Sequence, residues 1–261
     1  MAAFSSWLAF QRFAEFVRVE RRYILSSDSR EFIEAVVSTA PTRVEHLVPA
    51  QAFWRAQRGC RFTPYHQDGE YIDDLPSPYL PERMVPLPQR AVEGRANPRG
   101  IPYLYGASHL KTAVAEVRPW AGALVSVAAF RLQRGVRLVD FSNAQHRHSM
   151  YFDEPSPAER EVAVWSDIDI AFSEPVTPAD DEASYAPTQV IAEALRSAGF
   201  DGLAYRSSLG PGHNIALFDV DVARLERCLV YRVKSITVES EFDGSPTASY
   251  TVPPPEAAED S

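Results

Sequence analysis

The segment running from Asn97 to Pro119 constrains this chain more tightly than any other part of it. It reads Asn-Pro-Arg-Gly-Ile-Pro-Tyr-Leu-Tyr-Gly-Ala-Ser and continues His-Leu-Lys-Thr-Ala-Val-Ala-Glu-Val-Arg-Pro. Prolines and a glycine open it as a turn, and the alternation of Ile101, Tyr103 and Tyr105 predicts a short aromatic strand. Ser108 then stands where a helix cap belongs, and Pro119 closes the helix. On the helical wheel Leu110, Ala113, Val114 and Val117 share one face, and Glu116 flanks it. So tight a succession mounts a single carboxylate, at the margin of a core, directly behind a tyrosine strand.

The 261 residues suffice for a full hydrophobic core, and 45% hydrophobic content is ordinary for a globular chain. No apolar run reaches membrane-spanning length, and Arg12, Glu15 and Arg18 interrupt the N-terminal stretch, so neither a membrane span nor a secretory leader is expected. Two cysteines, Cys60 and Cys228, cannot frame a disulfide scaffold or a zinc site, and no metal is expected. A reducing, cytoplasmic setting follows. The net charge of -9 is uneven: residues 151–187 hold ten acids against Arg160 alone, and the rest of the chain is balanced. Direct nucleic-acid binding is therefore not expected. The acidic segment reads as a solvated surface insertion, with a lid or a docking surface for a basic partner as the sharper alternative.

Helical periodicity covers residues 5–24, and Asp28 with Glu31 suggests a capping box for a second helix through about Ser38. Ala52–Arg58 reads as a strand with Arg55 in its middle. The proline-rich interval 60–100 reads as ordered loop. Strands are expected over Leu124–Leu132 and Val136–Phe141, then a helix from about Pro157 to Trp165. Another helix over Thr188–Ala198 stops at Gly199. Residues 202–208 and 213–219 form a hairpin pair, residues 228–241 a last strand, and the tail from 243 to 261 is expected to be disordered. The organisation predicted is an N-terminal helical region (1–48), a main domain (49–242) carrying the acidic insertion at 151–187, and the tail. The class is α+β, with a mixed, mostly antiparallel β core and flanking helices.

Arg55 between Trp54 and Ala56 on an apolar strand needs an anionic partner, either a structural carboxylate or a bound anion. Arg95 sits on a Gly/Pro-framed loop, where a surface role is the simpler reading. Tyr103 and Tyr105 suit either a core or a flat surface for a heteroaromatic ligand. Ser207 and Ser208 precede a glycine-rich turn, and no nucleophile elbow aims either of them. No phosphate-binding glycine motif follows a strand.

In order along the chain stand Phe-Trp-Arg55, Gly-Arg95-x-Asn-Pro, Tyr-Leu-Tyr105-Gly-Ala-Ser, Thr-Ala-Val-Ala-Glu116-Val, Gly-Phe-Asp-Gly-Leu-Ala-Tyr-Arg-Ser207 and Asn214-Ile-Ala-Leu-Phe. Together they resemble the RES domain family over about residues 50–220. The resemblance implies a fold like that of ADP-ribosyltransferase toxins and NAD as substrate, with no further cofactor. It implies catalytic roles for Arg55, Glu116 and Ser207, and NAD contacts at Arg95, Tyr105, Ser208 and Asn214. Arg55, with Arg95, would hold the pyrophosphate, Tyr105 would pack on the nicotinamide end, and Ser207 would orient it. Two departures stand out: Ala96 follows the loop arginine where many members carry tryptophan, and Tyr205-Arg206 precedes the serines where others often have proline. The implied activity is an NAD glycohydrolase or phosphorylase acting as a toxin. The alternatives are a mono-ADP-ribosyltransferase and a non-catalytic binding module. A cognate antitoxin or immunity protein is the implied partner, and delivery into target cells is the alternative to action in the chain's own cytoplasm.

Overall fold

The computed structural model describes residues 3–88, 90–142, 151, 153–174, 182–238 and 240. Helix α1 (Ala9–Glu15) passes directly into a π-helical turn, Phe16–Glu20, which ends where Arg21 adopts extended backbone. The helix expected over residues 5–24 is thus shorter and changes pitch midway. Helix α2 spans Ser27–Thr39, and its cap is Ser26, whose hydroxyl accepts the Ser29 N–H at 3.2 Å. The expected Asp28/Glu31 box therefore does not form, and Asp28 instead places its charge in the first turn, where the helix dipole favours it.

Among the described residues eight strands form the main sheet: β1 (Val44–Leu47), β2 (Ala52–Arg58), β5 (Leu104–Ala107), β6 (Leu124–Leu132), β7 (Val136–Asp140), β8 (Gly202–Arg206), β9 (His213–Leu217) and β10 (Ala223–Arg232). Their order across the sheet is β1-β7-β8-β9-β5-β2-β6-β10. Every neighbouring pair is antiparallel except β7 with β8. That parallel pair needs a long crossover, which carries helices α5 (Pro157–Ser173) and α6 (Ala186–Ser197). The sheet is mixed and mostly antiparallel with helices against it, as the sequence implied.

Side chains alternate through the sheet. Val139, Leu203 and Tyr205 join Phe10, Phe13, Phe32, Trp165, Phe172 and Ile191 of the helices in one core. The intervening Leu138 and Ala204 join Phe53, Phe130 and Leu217 in a second core on the other face. A short helix, α3 (Pro81–Met84), closes that face with Met84. Helix α5 overturns the reading of the acidic segment as a merely solvated insertion. Val164, Trp165, Ile168 and Phe172 are fully buried, and Trp165 Nε1 donates to Thr39 Oγ1 at 3.1 Å. Burying each such side chain contributes roughly 1.5–3 kcal/mol. Ser156 and Glu159 form a reciprocal capping box ahead of it, with Pro157 at the first helical position.

Two further expectations need correction. Within the interval read as loop lie β3 (Arg61–Gln67) and β4 (Glu70–Ser77), paired in a separate two-stranded ribbon. Asp68 (φ 52°) and Gly69 (φ 89°) make its tight turn, both with the positive φ that a two-residue hairpin connection demands. The last strand, β10, lies earlier than the expected 228–241. Asp219 accepts the Asp221 N–H at 2.9 Å to form a single 3-10 turn over Val220–Val222, and the strand begins at once after it. The tail from 243 onward lies outside the described residues.

Candidate active site

Helix α4 (Leu110–Glu116) follows β5 after two residues and is held at its start by the hairpin formed by β8 and β9. Ser108 is not its side-chain cap: the Ser108 hydroxyl accepts the His213 N–H at 3.0 Å and so ties the entry of α4 to β9. Thr112 donates to the Pro211 carbonyl one turn later. Glu116 is the last residue of α4, where the dipole disfavours an anion. Two donors from the neighbouring strands compensate. Ser207 Oγ and Asn214 Nδ2 each donate to Glu116 Oε1 at 2.7 Å. Among the described residues nothing donates to Oε2, and Glu116 itself is exposed at the cleft mouth while Ser207 and Asn214 are buried.

The cleft has a volume of about 250 Å³, and its lining includes Trp54, Arg55, Tyr105, Glu116, Tyr205 and Asn214. A second groove of about 640 Å³ adjoins it across Arg55 and Tyr105 and runs past Gln57, Arg83 and Arg90. Arg55 lines both of them. Its Nη1 donates to the Tyr105 carbonyl at 2.9 Å, and among the described residues its Nε has no hydrogen-bond partner and no carboxylate pairs with it. Burial pulls its guanidinium down to about 10, opposed by Tyr105, and it remains charged at neutral pH. A buried fork without a carboxylate suits a phosphate or another bidentate anion.

Tyr105 differs from the expectation in one respect. The residue lines the cleft, but its hydroxyl is bound within the protein: it donates to Asn97 Oδ1 at 2.7 Å and accepts the Ala96 N–H at 3.0 Å. Asn97 in turn donates to the carbonyls of Val92, Pro98 and Ile101, and Gln189 of α6 donates to the carbonyls of Gly94 and Asn97. Burial holds the Tyr105 phenol well above its ordinary range, so it stays a donor. This latch fixes the loop that carries Arg95. Among the described residues the buried Arg95 Nη1 has no hydrogen-bond partner, and the Arg95 guanidinium lies 5.9 Å from the Tyr185 ring centroid.

The structure thus brings Arg55, Tyr105, Glu116, Ser207 and Asn214 to one cleft, with Arg95 close enough to act electrostatically on Tyr205. Ser208 is not brought in: it is exposed on the turn, whereas Ser207 is buried and also accepts the Leu209 N–H at 3.1 Å. Sequence reasoning missed Tyr205, which lies buried in the cleft wall. Its phenol is pushed far up, chiefly by burial, with Tyr105 and Glu116 adding to the effect and Arg95 opposing it. Its position two residues before Ser207 on an alternating strand was the available signal. Asn97 was also missed, although Asn-Pro at a turn hints at such a hub. Among the described residues no cluster of His, Cys, Asp and Glu could hold a metal, and no helix is long and apolar enough to cross a membrane.

No curated protein matches the chain significantly. Among solved structures, it is similar to a chain of the crystal structure of the M. tuberculosis MbcT-MbcA toxin-antitoxin complex. Identity there is 15%, the match covers 76% of this chain and 92% of that one, and the TM-score is 0.41. The family model described as RES domain matches residues 52–239, from the start of β2 past the end of β10. The site residues all fall inside that span, and the chain belongs to the RES domain family.

Proposed function

We propose that this protein cleaves the bond between nicotinamide and ribose in NAD. The observation that carries the reading is the Glu116 carboxylate, pinned on one oxygen by Ser207 and Asn214, at a cleft where, among the described residues, nothing donates to its other oxygen and no carboxylate pairs with Arg55. As the glycosidic bond breaks, its electron pair passes to the pyridine nitrogen, nicotinamide departs as a neutral ring, and positive charge grows on the ribose. Glu116 Oε2 is the group available to stabilise that charge or to hold a ribose hydroxyl. The donors on Oε1 fix its direction before the substrate arrives. Arg55 provides the fork for the diphosphate, and Arg95 a second positive charge from the latched loop. The rings of Trp54 and Tyr105 offer flat surfaces to the heteroaromatic end. Water or phosphate then bonds to the anomeric carbon and loses its proton to solvent.

Incubation of the purified protein with NAD, with and without phosphate, tests this reading through its products. ADP-ribose identifies water as acceptor, and a ribosyl phosphate identifies phosphate. Label carried onto a macromolecule would move the assignment to a transferase. An intact dinucleotide under all conditions would refute the reading. The same proposal includes a neutralising antitoxin or immunity protein that covers the cleft, and cytoplasmic NAD as the pool consumed. Protection of NAD by the co-expressed product of a neighbouring gene checks that part.

A further inference from the structure

The ribbon of β3 and β4 stands apart from both cores. Apart from Thr63 and Ser77 every residue of its strands is exposed, including Phe62 (60%), Tyr71 (57%) and Ile72 (54%), with Tyr65 and Leu75 beside them. An isolated two-stranded hairpin is marginal in water, and exposed apolar side chains gathered on one element mark a contact surface. The charge of its tip is one-sided: from Asp68 to Asp74 it carries Asp68, Glu70, Asp73 and Asp74 and no basic residue. Its partner must therefore offer positive charge interleaved with apolar surface.

The same chain carries such a surface. From Arg18 to Ile24, around the end of the π-helical turn, Arg18, Arg21 and Arg22 are exposed together with Val19, Tyr23 (95%) and Ile24, against a single acid, Glu20. Arginine forks on one side and tyrosines with carboxylates on the other match by ion pairing and stacking at once. Within one molecule the two lie apart. The π-helical turn packs on α6, which lies against β8, whereas β4 touches β10. Five strand steps separate β8 from β10, roughly 24 Å at the usual strand spacing.

We propose that the acidic hairpin tip of one copy docks on the arginine-rich segment 18–24 of a second copy, in a head-to-tail contact. Such a heterologous contact closes into rings or extends into open chains. It lies outside the cleft and holds whatever reaction the cleft performs.

Sedimentation of the full chain over a range of concentration and salt tests the proposal. Wild type should associate with rising concentration, and salt should weaken the association. The variants Asp73→Lys/Asp74→Lys and Arg21→Glu/Arg22→Glu should each weaken it by at least about tenfold, since like charges then face each other. An equimolar mixture of the two variants restores opposite charges at both contacts, reversed in one direction and native in the other, and should recover association in alternating order. Unchanged circular dichroism and unchanged melting of both variants establish that they are folded. Association that survives both reversals would overturn the proposal. So would a wild type that stays monomeric at every concentration, a result that would leave the hairpin to a basic partner of another kind.

Discussion

Ser207 donates its hydroxyl to Glu116 Oε1 at 2.7 Å, joining the end of β8 to the end of α4 across 91 positions of sequence. Asn214 on β9 makes the matching bond. A carboxylate at a helix C-terminus would otherwise be poorly placed, so the two donors set where its free oxygen points.

Removing either donor should reduce NAD turnover while leaving the fold intact. A hydrogen bond to a charged group is worth about 1.5–3 kcal/mol, which corresponds to roughly ten- to hundredfold in kcat/KM. Ser207→Ala and Asn214→Ala are therefore expected to fall in that range. Ser208→Ala, on an exposed turn position, should stay near wild type. Steady-state kinetics on the three variants decides it, and an equal loss at Ser208 would refute the ordering.

Tyr105→Phe should act through stability and loop position. It leaves the Ala96 N–H and Asn97 Oδ1, both on buried residues, without their partner. An unsatisfied buried group costs about 1–3 kcal/mol. Gly94→Ala should disturb the same latch, because an added Cβ would meet Asn97 Oδ1 and the Tyr105 hydroxyl at 2.9 Å each. Urea denaturation measures both effects. A Tyr105→Phe variant with unchanged stability and a lowered kcat would instead assign that hydroxyl to the substrate.

Arg55→Met should separate stability from binding. Burial lowers the Arg55 guanidinium to about 10 from 12.5, so between those values the unfolded chain binds more protons than the folded one. Stability therefore rises with pH across that window, and at neutral pH the buried charge costs stability. Replacing it with methionine should leave the melting temperature unchanged or a few degrees higher. The KM for NAD should rise at least about tenfold. Arg55→Lys should not restore it, because a point charge lacks the bidentate fork. A large fall in melting temperature for Arg55→Met would contradict this reading.

Trp165→Ala tests whether α5 belongs to the core. The side chain is fully buried and packs against Phe141 at 5.6 Å between ring centroids. Its truncation is expected to cost about 3–5 kcal/mol. A loss below 1 kcal/mol, read by calorimetry, would return α5 to the status of an appended insertion.

Much of the sheet was legible because its strands are uniform in pattern. Ala52–Arg58 and Leu124–Leu132 were read with the bounds they have, and the β8–β9 hairpin followed from apolar runs flanking Gly210 and Gly212. The ribbon of β3 and β4 escaped notice because Pro64 and Pro76 suggest loop and its residues show no buried alternation. Prolines are tolerated there because both strands are edges. Helix α5 was cut short because its acids masked a buried stripe of Val164, Trp165, Ile168 and Phe172. In the site, Arg55, Glu116, Ser207 and Asn214 were named from a resemblance, but their mutual bonds depend on the tertiary approach of α4 to β8 and β9. No local spacing encodes that approach. The internal binding of the Tyr105 hydroxyl was equally hidden, because its partner Asn97 looked like turn chemistry alone.

The most direct measurement is nicotinamide release from NAD by Glu116→Gln, compared with wild type at matched concentration. Glutamine keeps the shape and removes the charge. Release should fall by about a hundredfold or more, the size typical of losing one electrostatic stabiliser, while NAD affinity and melting temperature stay at wild-type values. Release at the wild-type rate by the folded variant would contradict the assignment of Glu116.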